Sequence, residues 1–174
     1  MTDRTKPPTP VSCICRTKLG PIYLERTARG LSRVGLPASA RTRASARQKE
    51  ASAEDSLLRK AADLIRRYGE GEAVTFDLPL DLEGVSPCLR EMLTAARRIP
   101  YGQTRTYGWL ASHTGRPRAA RAAGQAMARN PLPLVIPCHR VIGADGSLVG
   151  FGGGLSLKRR LLELERSTLE GRRT

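Results

Sequence analysis

Apolar and polar residues group first into three short runs, 11–17, 22–26 and 31–36, separated by Lys18-Leu19-Gly20-Pro21 and by Arg29-Gly30. Short runs bounded by Gly and Pro predict strands joined by tight turns, hence a small antiparallel meander. From 53 to 68 the period changes: Leu57, Leu58, Ala61, Leu64, Ile65 and Tyr68 recur at helical spacing, with Gly69 as the stop. The segment 73–80 predicts a strand or an extended linker and 81–85 a turn. The low eighties are therefore the natural boundary between two parts of the chain.

Beyond that boundary the pattern is mostly helical. Ser86 as N-cap and Pro87 at the first helical position open a helix expected to run to about Arg98, where Ile99-Pro100-Tyr101-Gly102 breaks it. Thr106 caps a short helix, 107–113, and Thr114-Gly115-Arg116 turns the chain into a second, 117–129, giving a helix-turn-helix pattern. In that second helix Arg118, Arg121 and Gln125 fall on one face, and most other positions are alanine or glycine, among them Ala122. Small residues let another backbone come close, either the protein core or a nucleic-acid groove. An apolar run, 132–136, predicts a short buried strand ended by Pro137. Gly143-Ala144-Asp145-Gly146 predicts a hairpin turn, and Gly150-Phe151-Gly152-Gly153-Gly154 a loop that carries neither a Walker pattern nor a dinucleotide fingerprint. A last amphipathic helix, 155–165, offers Leu157, Leu161, Leu162 and Leu164 to the core. Glu163 and Glu165 point to different sides of it, so that one of them can turn inward.

Charge changes this picture. The 174-residue chain has 30 Lys and Arg against 16 Asp and Glu, a net +14 that favours a polyanionic partner. Between Glu91 and Asp145 there is no acidic residue, while Arg97, Arg98, Arg105, Arg116, Arg118, Arg121, Arg129 and Arg140 all fall there. This stretch predicts a surface facing a polyanion. The basic segment 38–49 has no apolar periodicity and is expected to be a mobile loop. The start, 1–10, is polar and Pro-rich, which predicts a disordered tail and no signal peptide, so Cys13, Cys15, Cys88 and Cys138 are expected as reduced thiols in a cytosolic protein. No apolar run is long enough for a bilayer. Zinc is not expected either, because Cys13 and Cys15 have the wrong spacing for a knuckle and His113 and His139 are the only histidines.

The candidate chemistry is Cys138-His139, within Ile136-Pro137-Cys138-His139-Arg140-Val141. A cysteine reacts as its thiolate and needs a base or a positive field near neutral pH. Neighbours in extended chain point to opposite faces, so a water between thiol and imidazole is the expected relay, with an inward carboxylate holding the ring. The alternative is that Cys138 is only a small buried hydrophobe.

Ile99-Pro100-Tyr101-Gly102, Thr106-Tyr107, Ala119-Ala120-Arg121-Ala122, Asn130-Pro131, Ile136-Pro137-Cys138-His139-Arg140-Val141, Gly153-Gly154-Leu155 and Lys158 occur in an order that resembles the O6-alkylguanine-DNA alkyltransferases, densely from 99 to 165. The resemblance implies an α/β fold: a ribonuclease-H-like N-terminal domain, 11–82, with a three-stranded antiparallel sheet and a helix, then a mostly helical domain, 83–174, with a helix-turn-helix and an active-site loop. It implies irreversible, single-turnover transfer from O6-alkylguanine, and O4-alkylthymine, in duplex DNA to Cys138. His139 would take the proton through water, Glu165 orient the ring, Tyr107 donate to the leaving base and Asn130 fix the turn beneath. Arg121 would fill the hole left by a flipped base, with Arg118, Thr106, Gln125 and Ala122 on the minor groove. Tyr107, Val141, Phe151, Gly152 and Lys158 would form the base pocket. No cofactor or metal is implied, and the partner is DNA, for a monomer able to assemble cooperatively on it in the cytoplasm at the nucleoid. Cys88 and Leu89 stand where the family commonly has Phe-Gln. The alternatives from other classes are a non-catalytic binder of alkyl lesions and a basic helix-turn-helix regulator.

Overall fold

The computed structural model describes residues 10–37 and 55–172. Strands β1 (Val11–Thr17), β2 (Gly20–Arg26) and β3 (Leu31–Gly35) form one antiparallel sheet in that order. Cys13 pairs with Leu24, Cys15 with Ile22, and Leu24 with Val34, so one face carries Cys13, Cys15, Ile22, Leu24 and Val34, all buried. Strand β2 begins earlier than its apolar run because the turn is tight: Gly20 takes φ +107° and accepts from the Thr17 hydroxyl.

Helix α1 (Ser56–Gly69) packs on that face through Leu58, Ala61, Ala62, Ile65 and Tyr68. Asp55 caps it by accepting from the Leu58 amide and pairs with Arg26 at 2.6 Å, which ties the helix start to β2. The expected basic loop, 38–49, and the expected helix start at Ala53 lie outside the described residues. The segment 73–80 is the extended linker of the two alternatives, touching β3 through an isolated bridge between Leu80 and Leu31.

Helices α2 (Pro87–Arg97) and α3 (Tyr107–His113) start at their expected caps, Ser86 and Thr106. Helix α4 (Ala120–Ala128) is shorter than the expected 117–129. No side chain caps it, and the Ala119 amide bonds to Arg116 O at 2.8 Å, closing a tight turn that holds Pro117 and Arg118 outside the helix. Arg118 therefore precedes the face that carries Arg121 and Gln125. Cys88 is exposed, while Leu89 is half-buried and packs against the core.

Two further expectations fail. The run 132–136 is a buried turn, not a strand: Leu134 takes φ +75°, and Ile136 N reaches back to Leu132 O at 2.8 Å. The turn at Gly143–Gly146 forms, with Gly143 N on Ser147 O at 2.8 Å, but makes no hairpin. Strand β5 (Val141–Ile142) instead pairs in parallel with β4 (Arg105–Thr106), bringing the start of α3 beside the chain that leaves Cys138. Helix α5 (Leu155–Gly171) runs past its expected end at Glu165 and buries Lys158, Leu161 and Glu165, while Leu162 stays outside the apolar core.

Candidate active site

Cys138, His139 and Arg140 form a single 3-10 turn after Pro137, enclosed on every side. Cys138 is only 5% exposed. Burial raises its thiol above the ordinary value, while a hydrogen bond from Asn130 and the Lys158 charge oppose the rise. The turn follows from sequence: Pro137 cannot donate, and Asn130 grips the preceding loop at both ends, donating to Ile136 O at 2.8 Å and accepting from the Leu132 amide at 3.0 Å.

His139 is fully buried and its Nε2 lies 2.8 Å from Glu165 Oε1. That carboxylate accepts from four residues. Oε1 takes the Tyr68 hydroxyl at 2.7 Å, His139 Nε2 and Arg140 Nη2 at 2.9 Å, and Oε2 takes the Gly102 amide at 2.8 Å and Arg140 Nε at 3.0 Å. Burial alone would raise the Glu165 carboxyl, but His139 and Arg140 outweigh it and hold it at about 2. An ionised carboxylate only accepts, so Nε2 carries the hydrogen that it donates to Oε1. Burial also outweighs the pull of Glu165 on His139 and keeps the imidazole below its ordinary value, hence neutral near pH ~7. Its Nδ1 then presents a bare lone pair, and it is the one buried side-chain nitrogen or oxygen without a partner among the described residues.

This ionised network fixes a pH dependence. Glu165 titrates lower in the fold than the ~4.3 of an unfolded chain, and His139 lower than ~6.5, so the unfolded state binds more protons. The stability both supply is complete above those unfolded values and disappears on acidification, His139 first, then Glu165 as pH falls toward about 2. The expected result is a melting temperature that drops steadily below about pH 6. A curve flat down to about pH 3 would show that neither group is held as described.

The remaining predicted residues surround this centre. Tyr107, first in α3, donates its hydroxyl to Val149 O at 3.0 Å. Lys158 is fully buried and spans the loop from beneath, donating to Val141 O at 2.7 Å and Val149 O at 2.8 Å. Phe151 sets its ring edge-on to His139 at 6.4 Å, while Gly152 is exposed on the loop and Val141 fully buried. Thr106 is occupied in capping Trp109 N. On the outside, Arg118, Arg121, Ala122, Gln125 and Arg129 are all exposed.

The acid-free stretch is not one surface. Arg140 belongs to the Glu165 network and also donates to Ile99 O at 2.7 Å; Arg97 donates to Phe76 O at 2.9 Å, and Arg116 pairs with Glu91 at 2.6 Å. Sequence reasoning placed Arg140 with the surface charges and Tyr68 with the core leucines. Nothing in their spacing shows that both converge on Glu165, and Gly102 joins them only through its backbone. Gly102 does carry a signal: it takes φ +72°, and a Cβ there would run into Leu169. Glu163 is exposed, so Glu165 is the inward carboxylate. All four cysteines carry free thiols, and the described residues contain no cluster of metal-ligating side chains and no helix long and apolar enough to cross a membrane.

The chain is similar to known proteins over most of its length. The family model described as 6-O-methylguanine DNA methyltransferase, DNA binding domain, matches residues 87–167. The methylated-DNA–protein-cysteine methyltransferase of Mycobacterium tuberculosis is 50% identical over 107 residues, 62% of this chain, and the match spans just under two thirds, 64%, of that protein's length. The protein of the same name from Methanosarcina barkeri is 40% identical over 157 residues, 90% of this chain and 97% of that one. In three dimensions the chain is similar to Mycobacterium tuberculosis OGT in complex with DNA, with a TM-score of 0.77 and 37% identity over 90% of this chain and 93% of that one. A relative 40% identical over nearly its whole length shows the family: this chain belongs to the 6-O-methylguanine DNA methyltransferases.

Proposed function

We propose that this chain is a methylated-DNA–protein-cysteine methyltransferase that moves the alkyl group from O6-alkylguanine, and from O4-alkylthymine, in duplex DNA to Sγ of Cys138 in a single irreversible turnover. The observation that carries the reading is the presence, in one turn, of a buried thiol and a neutral imidazole whose Nδ1 is unpartnered and whose Nε2 is fixed on an ionised carboxylate. The Cys138 proton passes through a water to Nδ1, and Glu165 stabilises the imidazolium that forms. The thiolate attacks the alkyl carbon, the carbon–O6 bond breaks, and the electron pair returns to the base. Tyr107 exchanges its hydrogen bond to Val149 O for one donated to the departing base, keeping its own proton. The thioether has no leaving route, so each molecule acts once.

The substrate base must leave the duplex to reach so enclosed a thiol. The working division is an N-terminal part, 11–82, and a C-terminal part, 83–174, with helix α4 laid in the minor groove. Arg121 fills the vacated stack, Gln125 and Ala122 allow close approach, Arg118 meets phosphate and Thr106 sets the start of α3 against the backbone. The pocket is the backbone of Cys138, Val141 and Gly152 with Tyr107 and Phe151, and Lys158 holds its loop. The protein works as a monomer that can assemble along DNA at the nucleoid, without a cofactor.

The direct test is loss of the lesion from a methylated oligonucleotide supplied in excess over the protein, expected to stop at one lesion per molecule. More lesion removed than protein present would exclude a single-turnover acceptor. The role of Arg121 has its own test. Arg121→Ala is expected to slow repair in duplex DNA sharply, on the order of 10- to 100-fold for a lost few kcal/mol on flipping, while reaction with free O6-alkylguanine stays nearly unchanged. Arg118→Ala is expected to weaken binding and lower the salt slope by about one. Equal loss on both substrates in Arg121→Ala would make that residue part of the pocket instead.

A further inference from the structure

We infer that Tyr68, on the N-terminal helix α1, is a positioning residue of the transfer site: its hydroxyl binds the Glu165–His139 pair and sets how readily that imidazole takes the thiol's proton. The inference rests on the function proposed above. Tyr68 OH lies 2.7 Å from Glu165 Oε1 and 3.2 Å from His139 Nε2, and the residue is fully buried. Its ring packs against Phe76, Tyr101 and His139, with centroids at 6.0, 6.0 and 6.3 Å, which a phenylalanine would do equally well. The hydroxyl needs a separate reason, because a buried O–H is costly unless bonded, and it finds its bond only at this pair among the partners the structure gives it.

The chemistry of the pair supplies the reason. The titratable and charged groups acting on His139 are Tyr68 from α1, Glu165 and Lys158 from α5, and Arg140 from its own turn, with Tyr101 set against the Glu165 network. Glu165 stabilises the imidazolium; Arg140 and Lys158 oppose it. A donor on Oε1 draws off charge that would otherwise act on His139, so the Tyr68 hydroxyl works with Arg140 to keep the ring neutral and ready as a base. Without it, Glu165 would hold His139 more strongly as the imidazolium, which has no lone pair on Nδ1. The N-terminal part of the chain thus contributes a working group to the site, delivered by the last turn of α1.

The test is Tyr68→Phe in the full chain, read in two ways. In the substrate-free protein, the His139 titration followed by nitrogen NMR is expected to move to higher pH. In single-turnover transfer from a methylated duplex, the acid limb of the pH profile should move with it, lowering the rate on that limb up to about tenfold for a shift of one unit and leaving it unchanged at higher pH, with DNA affinity unchanged. Unmoved titration and profile, even with a lower melting temperature, would overturn the inference and leave Tyr68 a core residue. Should the Phe variant not fold, 3-fluorotyrosine at position 68, a stronger donor, must move the titration to lower pH. An unmoved titration there would equally overturn it. If the wild-type protein transfers no methyl group at all, the functional reading fails, while the NMR titration still decides the role of Tyr68.

Discussion

Cys138→Ser is expected to abolish transfer while keeping fold and duplex binding. The substitution exchanges one small buried atom for another in a turn whose geometry is set by Pro137 and Asn130 and not by the sulfur. The chemistry does not survive the exchange. Burial already pushes the thiol up from its ordinary value, against the pull of Asn130 and Lys158, so the relay to His139 works with little in reserve. A serine hydroxyl is several units weaker as an acid, and each unit is about tenfold in the ionised fraction, which places residual transfer by this route at least about a thousandfold down. Binding measured by gel shift should match the parent protein, since the surface of α4 is untouched. Transfer by the serine variant at a comparable rate would show that position 138 is not the acceptor.

Glu165→Gln carries the second large effect, and it acts on two properties at once. The amide offers one acceptor oxygen where the carboxylate has two, and its NH2 would face donors, the Arg140 guanidinium and the Gly102 amide, that now find no charge. Removing one partner of a buried ion pair costs about 3–5 kcal/mol, so a clear drop in melting temperature is expected. Transfer should fall as well, because the imidazolium loses the charge that stabilises it. Duplex affinity should hold in the folded fraction, as Glu165 is fully enclosed while the arginines on and beside α4 are exposed. A variant as stable as the parent would mean that Arg140 is paired elsewhere. A destabilised variant with full transfer would make Glu165 a fold residue only.

How much of this was legible in the sequence depended on whether the signal was local. Thr106 and Ser86 announced their helices because a cap and its amide lie three residues apart. The cysteine, histidine and carboxylate were legible through a dense motif that also selected Glu165 over Glu163. The partners of that carboxylate were not. Tyr68 occupies a core position of an amphipathic helix, and periodicity cannot tell a hydroxyl that caps a distant carboxylate from a ring that merely fills space. Arg140 read as one more charge on an acid-free stretch because its counter-charge comes 25 residues later, from another element. The run from Leu132 to Ile136 is as apolar as a strand, yet Asn130 grips it from both ends and curls it into a turn. For the shortened α4 the missing signal was an absence: no residue from Arg116 to Ala119 supplies a capping hydroxyl or carboxylate.

The central claim is that the alkyl group ends on one sulfur, and intact-protein mass spectrometry after incubation with an O6-methylguanine duplex, followed by peptide mapping, tests it most directly. The expected result is a gain of one methyl group per molecule, located on the peptide that contains Cys138, with no further gain when more lesion is added. A protein whose mass is unchanged while it binds the lesion would contradict the account in favour of a non-catalytic binder, and a methyl group on Cys13, Cys15 or Cys88 would contradict the assignment of the site.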